Sequence, residues 1–413
     1  MNKTELKVNT ARLRDDINAL SEIGRSESHG IYRMAFSEGD LQARKWFRQR
    51  IEDTKLEFYQ DGAANMYARL GQDDSKPSVI AGSHLDTVPG AGHLDGALGV
   101  LCALEALRVL EETGTPLKYP LEAVAFTDEE GRFGGLLGSQ AFAGLVTPER
   151  LHTACDLNGL LLTDVMQQCG LDAQQVLHAQ RATDSIHAYV ELHIEQGPVL
   201  DQRGLSIGIV DAITGLFKWE ITLKGNANHA GTTPMNMRAD AFQGLAEFAG
   251  QIERILEESG TTHSTATIGK VKLVPGAANV IPEQAIFSLD VRDTDSRILE
   301  ALADSFRRTL SAIARRRKLM FEFSVLSEIE PVQCADIVID AIEQSVDSAG
   351  VSATHLHSGA AHDAQIIASI APAGMIFVPS KEGRSHSAAE WTSWDDIETG
   401  ANILLNTLKR MAS

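Results

Sequence analysis

The sequence predicts an α/β chain with a mostly parallel sheet, interrupted by a smaller ferredoxin-like α+β domain. Three observations predict it. Short, wholly apolar runs recur between helical patterns, which is how strands buried on both faces read. The middle of the chain instead alternates apolar and polar residues, the mark of strands with one wet face. With 413 residues, the chain also exceeds what a single hydrophobic core usually organises.

The buried runs are Ser78-Val79-Ile80-Ala81, Leu121 to Phe126, Ala188 to Leu192 and Met375 to Val378. Gly99 to Glu112 is apolar on nearly every side, as a helix packed on a sheet should be. This is α/β alternation with a mostly parallel sheet. Between the third and fourth runs the pattern changes. Lys218 to Lys224 alternates as a strand, and a helix is expected from about Met237 to Glu257. Strands follow at Ala266 to Leu273 and Ala285 to Arg292, then a helix from about Ser296 to Arg315 and a strand at Met320 to Val325. The order βαββαβ is the split-βαβ arrangement. The expected layout is therefore a domain of residues 1–213 with 331–413, interrupted by one of residues 214–330.

Composition excludes several classes of function. There are 37 Lys plus Arg against 56 Asp plus Glu, a net charge of −19, which repels phosphate backbones and argues against a nucleic-acid partner. The one basic run, Arg315-Arg316-Arg317-Lys318, falls where a helix should end and suits its dipole. Cys102, Cys155, Cys169 and Cys334 are scattered with no CxxC pair, so neither a zinc ribbon nor a disulfide scaffold is expected. Met1 to Arg25 lacks an apolar signal core, and no segment has the apolar length to span a bilayer. A soluble, cytoplasmic protein without a membrane partner is expected.

The chemistry gathers behind the apolar runs. After the first come Ser83-His84-Leu85-Asp86 and Gly92-His93-Leu94-Asp95-Gly96. After the second comes Thr127-Asp128-Glu129-Glu130. His193-Ile194-Glu195-Gln196 ends the third, and Gly383-Arg384-Ser385-His386 follows the fourth. Open α/β sheets bind ligands beyond the carboxyl ends of their strands. Any one of these pieces alone reads as an ordinary surface pair or core histidine. Four strand ends carrying the same donor chemistry read as a metal centre. Nitrogen and oxygen donors without thiolate suit zinc, manganese, cobalt or nickel.

Five ligands and one bridge serve two divalent ions. His84, His193 and His386 offer imidazoles, Glu130 a carboxylate, and Asp95 two oxygens that can span both ions. Asp86, two residues from His84, is expected to orient that ligand. Glu129, adjacent to Glu130 but pointing elsewhere, is placed as a general base. The ions would lower the pKa of water towards roughly 7.

These residues carry a family resemblance. The runs GSHLDTVPGAGHLDG, FTDEEGRF, ELHIEQGPVL, NHAGTTPM, GAANVIP, SGAAHDA and GRSHSAAEW resemble the M20-type hydantoinase/carbamoylase amidases. That group includes N-carbamoyl-L-amino acid hydrolases, allantoate amidohydrolases and β-ureidopropionase-like enzymes. The likeness covers nearly the whole chain in the same order. It implies His84, Asp95, Glu130, His193 and His386 as metal ligands and Glu129 as base. It implies that the interrupting domain is a lid through which a homodimer forms. It implies His229 as the oxyanion-stabilising residue, and Gln196, His229, Asn279 and Arg292 as substrate contacts; Arg292 offers a planar fork suited to a carboxylate. Without the resemblance Arg292 reads as a surface ion pair at a strand end. Two segments depart from the commoner family form, Gly131-Arg132-Phe133-Gly134-Gly135 and the last ligand loop, Gly383-Arg384-Ser385-His386-Ser387-Ala388-Ala389-Glu390. Neither removes a donor.

The implied activity is hydrolysis of the carbamoyl C–N bond of N-carbamoyl-L-amino acids, with a small carboxylate-bearing ureido compound as substrate. Allantoate or ureidoglycolate hydrolysis is the alternative on the same centre. An aminoacylase or peptidase is disfavoured by HIEQGP and the Asn279/Arg292 pair. A non-catalytic metal-binding protein would need a missing base or ligand.

Overall fold

The apolar runs pair with one another as parallel strands. The structure, a computed structural model, describes residues 5–26, 30–71, 73 and 75–413. The first four residues of the polar N-terminal stretch lie outside them. The chain divides into two units, Met1–Asp211 with Cys334–Ser413, and Ala212–Gln333.

Four adjacent strands form the centre of the first unit, in the spatial order Ala373–Val378, Ile186–Ile194, Ser78–His84, Leu121–Phe126. All three neighbouring pairs among them are parallel. Antiparallel strands flank them: Met66–Leu70 and then Glu57–Gln60 on one side, Ile207–Ile213 on the other. Because the four central strands run the same way, their carboxyl ends lie along one edge, and four donor-bearing loops leave from that edge.

The interior explains why these segments fold as they do. Ser78–His84, Leu121–Phe126 and Ala373–Val378 are buried at every position. The two acids inside these strands are satisfied. Glu122 accepts from Ser78 Oγ at 2.6 Å, Tyr59 Oη at 2.6 Å and Arg181 Nη2 at 2.8 Å. Glu191 accepts from Ser83 Oγ at 2.7 Å and the Ala364 backbone N–H at 2.8 Å. Such pairing is what keeps a buried carboxylate from destabilising the sheet. Helix Ala97–Glu112 is buried from Ala97 to Leu110 and packs between the sheet and helices Thr10–Ser21 and Trp394–Met411. Residues between the second and third central strands fold into short helices, Leu137–Phe142, Pro148–Thr153 and Leu162–Gln168, around a separate core that includes Phe133, Leu151, Val165 and Met166.

The second unit has one antiparallel sheet with Gly215–Lys224 and Gln284–Asp293 at its centre, Met320–Ile329 along one edge and Thr265–Thr267 with Val271–Val274 along the other. Gln284–Asp293 alternates buried and half-buried residues along its whole length. Its buried face packs with helix Ser296–Arg317 through Phe287, Leu289, Phe306 and Leu310. That helix ends at the basic run, with Lys318 in a left-handed cap. Two expectations are corrected here. The helix expected over about Met237 to Glu257 is two, Ala241–Ala249 and Ile252–Ser259, broken at Gly250, whose freedom disfavours a helix interior. The strand expected over Ala266 to Leu273 is also two, separated at Ile268-Gly269-Lys270.

Candidate active site

The donors of the first unit converge. His84 ends its strand and is buried; its Nε2 lies 3.6 Å from Asp95 Oδ1 and 3.5 Å from Glu129 Oε2. His193, also buried, brings its Nε2 to 3.3 Å from the same Asp95 oxygen. The other Asp95 oxygen, Oδ2, is 3.5 Å from His386 Nε2, and His386 Nε2 is 3.4 Å from Glu130 Oε2. Besides a group formed by Glu191, His193 and His362, two groups of possible ligand atoms result, His84–Asp95–His193 and Asp95–Glu130–His386. They share Asp95, one oxygen to each.

The local backbone produces this geometry. His84 Nδ1 faces the Asp86 carbonyl oxygen at 2.9 Å and His193 Nδ1 faces the Ile194 carbonyl oxygen at 2.9 Å. With each carbonyl accepting a hydrogen bond from Nδ1–H, each Nε2 faces the site, where that of His193 also accepts from the Gly96 backbone N–H at 3.1 Å. Asp86 acts here through both its backbone and its carboxylate. It orients His84 through its backbone carbonyl, while its carboxylate, 4.0 Å from Nδ1, accepts from the backbone N–H groups of Glu129 at 3.3 Å and Glu130 at 3.1 Å. Asp86 thereby fixes the turn that aims the two glutamates at different ligand groups. Asp128, Gln196 and His386, one in each of three donor loops, have φ of 54°, 57° and 53°. Non-glycine residues hold that conformation only where their surroundings impose it. Gly96 is also left-handed, and a Cβ there would lie 2.3 Å from the His84 ring.

The acids and imidazoles of the site perturb one another strongly. Burial, and then the charge of Asp95, push the Glu130 carboxyl up to about 8. Burial, outweighing His84, holds Glu129 well above the usual carboxylate range. Burial alone would lower His84, but Glu129, Asp95 and Asp86 outweigh it and raise the imidazole. Asp95 moves the other way: burial would raise it, and His193 with His84 holds it well below. Glu130 Oε1 and Gln196 Oε1 are buried without a hydrogen-bond partner. A crowded set of nitrogen and oxygen donors, buried except for the half-exposed His386 and containing an orphaned carboxylate oxygen, fits divalent cations.

The remaining predicted residues divide between the units. Gln196 stands over the shared carboxylate, donating from Nε2 to Asp95 Oδ2 at 2.7 Å. His229, Asn279 and Arg292 belong to the second unit. His229 Nδ1 accepts from the N–H groups of Gly231 at 3.0 Å and Thr232 at 3.3 Å, which leaves Nε2 as the ring's donor. Its backbone bridges Val280, and the Asn279 carbonyl accepts from Ala230 N–H at 2.9 Å, so the NHAGTTPM and GAANVIP loops are joined. Arg292 forks onto Asp290, Nε to Oδ1 at 2.9 Å and Nη2 to Oδ2 at 3.3 Å. Sequence reasoning missed Glu390, Ser385 and Asp363. Ser385 Oγ lies 2.5 Å from Asp95 Oδ2, and Asp363 is buried beside Glu191.

Residues 80–410 match the peptidase family M20/M25/M40. The chain belongs to that family. This M20 member is 39% identical, over 97% of its length and 98% of the relative's, to an N-carbamoyl-L-amino acid amidohydrolase of Geobacillus stearothermophilus. It is 35% identical to an allantoate amidohydrolase of Escherichia coli K12, over 95% of its length and 96% of the relative's. Its fold is that of a hydantoinase/carbamoylase family amidase from Burkholderia multivorans, with a TM-score of 0.90, 31% identity and 98% of each chain covered. Among the described residues no helix is long and apolar enough to cross a membrane.

Proposed function

We propose that this M20 enzyme is an amidohydrolase that uses two divalent cations to cleave the carbamoyl C–N bond of a small, carboxylate-bearing ureido compound, with N-carbamoyl-L-amino acids as the first substrate class. The observation that carries the reading is the pair of ligand groups that share Asp95. His84 and His193 would hold one cation and Glu130 and His386 the other, with Asp95 able to serve both. When bound, the cations supply Lewis acidity and make water nucleophilic near neutral pH.

The chain's own residues do the rest. Glu129, aimed at the His84 side by the Asp86 clamp, takes a proton from the attacking water as the new C–O bond forms. It returns that proton to the leaving nitrogen as the C–N bond breaks. An N-carbamoyl amino acid then gives the amino acid and carbamic acid, which breaks down in water to carbon dioxide and ammonia. The second unit acts as a lid and a dimerisation surface. His229 donates from Nε2 to the developing oxyanion, and Asn279, Gln196 and Arg292 receive the substrate, Arg292 exchanging Asp290 for the carboxylate. Dimerisation is supported by Met320–Ile329, a sheet-edge strand with Met320, Val325 and Leu326 exposed.

The test is ammonia release from a panel of N-carbamoyl-L-amino acids and from allantoate, with and without chelator. Chelator-sensitive release from the carbamoyl amino acids is expected. Release from allantoate alone would move the enzyme to the second substrate class, and release unaffected by a chelator that strips the protein would refute cation dependence. For Arg292→Ala, KM for carboxylate substrates should rise at least about tenfold with cation content intact, in line with the loss of a charge-assisted bidentate contact.

A further inference from the structure

Glu390 lies outside both ligand groups, yet it holds them in register. It is buried, and its Oε1 accepts from the backbone N–H groups of Leu94 at 2.8 Å and Asp95 at 3.1 Å. Its Oε2 is 3.3 Å from Ser385 Oγ, the hydroxyl that also meets Asp95 Oδ2. One carboxylate therefore ties the loop that carries Asp95 to the loop that carries His386. Gly92 packs closely against this tie. A Cβ on Gly92 would lie 2.3 Å from the Glu390 side chain, so the first loop is shaped around it.

The two ligand groups depend on that tie unequally. His84 and His193 sit on strands of the central sheet and keep their orientation through their own Nδ1 contacts. His386 sits on a loop, is half exposed, and has a left-handed backbone that its neighbours must impose. Ser385 precedes it directly, and Glu390 follows four residues later. Asp95 keeps a second anchor in Gln196 when Glu390 is lost.

We infer that Glu390, acting through Ser385, is a positioning residue that sets the spacing between Asp95 and His386 and so creates the second cation site without touching the cation. This rests on the two-cation reading and goes beyond it by assigning the stability of one site to a residue that is not a ligand. Residues that orient metal ligands typically contribute about 10- to 100-fold in affinity.

The experiment is calorimetric titration of the chelator-treated full-length protein with Mn2+, comparing wild type with Glu390→Ala, Ser385→Ala and Glu390→Gln. Wild type should bind two ions. Glu390→Ala should bind the first within about threefold of wild type and the second at least about tenfold more weakly, with Ser385→Ala shifting the same step by a smaller amount. Glu390→Gln keeps an Oε1 acceptor for both N–H groups, and its amide donates to Ser385, so it should recover the second step. Two unaltered steps in both alanine variants would overturn the inference, as would equal weakening of both steps. If Glu390→Ala does not fold, an unshifted second step in Ser385→Ala overturns it and a weakened one supports it. Fewer than two ions on wild type would instead sink the two-cation reading itself.

Discussion

Glu129 and Glu130 are chain neighbours with opposite assignments, and the difference is one of direction. Asp86 accepts both of their backbone N–H groups, so the turn is rigid. Glu130 then faces His386, and Glu129 faces His84. Replacing Glu129 with Gln keeps the shape and removes the basic oxygen. Glu129→Gln is expected to bind cations as wild type does and to lose on the order of 10²- to 10⁴-fold in kcat, the usual contribution of a general base. Metal analysis alongside initial rates checks this; turnover at the wild-type level would remove Glu129 from the chemistry. Glu390 marks where residue-level reading stops. Four positions beyond His386 it looks like any solvated loop acid, and only the fold shows that it is buried against Leu94 and Asp95.

At the scale of elements, legibility followed burial. Leu121–Phe126 and Ala373–Val378 could be read because every position is apolar or paired inside the sheet. The four strand ends could be read as a set because parallel strands must end together. The segment between Thr127 and Ser185 could not. Its helices are only six or seven residues long, too short to display a periodic apolar stripe. Nor could the break at Gly250, since the apolar period continues across it. The junction at Gly96 belongs to this scale, because it turns the Asp95 loop into helix Ala97–Glu112 directly against His84. Gly96→Ala would force a left-handed alanine and a clash with the His84 ring. We expect a destabilisation of about 1–3 kcal/mol and weakened cation binding. Thermal melts and Mn2+ titration of the variant check both, and wild-type values in each would contradict the described packing.

For the whole molecule, the site is a concentration of buried acid whose stability depends on pH and on bound charge. Glu130 rises from 4.5 to about 8, and Glu390 from 4.5 to about 7, each by burial first and then by the charge of Asp95. A carboxyl with a raised folded-state pKa binds more protons folded than unfolded between the two values. Its contribution is therefore full below about 4.5 and is lost as pH rises through about 7 to 8. His362, kept neutral by burial, works in the opposite sense as pH rises through its unfolded value of 6.5. The carboxyls span the wider window, so chelator-treated protein should melt at progressively lower temperature from about pH 5 to pH 8. Under the two-cation proposal, Mn2+ would bind the ionised carboxylates of the folded state and should restore the loss. Parallel melts with and without Mn2+ check this, and curves that coincide at every pH would contradict it.

The most direct test of the shared-carboxylate centre is anomalous diffraction from crystals grown with Mn2+. We predict two anomalous peaks about 3.5–4 Å apart, one between His84 and His193 and the other between Glu130 and His386, with an oxygen of Asp95 bound to each. A single peak, or peaks away from Asp95, would contradict the account.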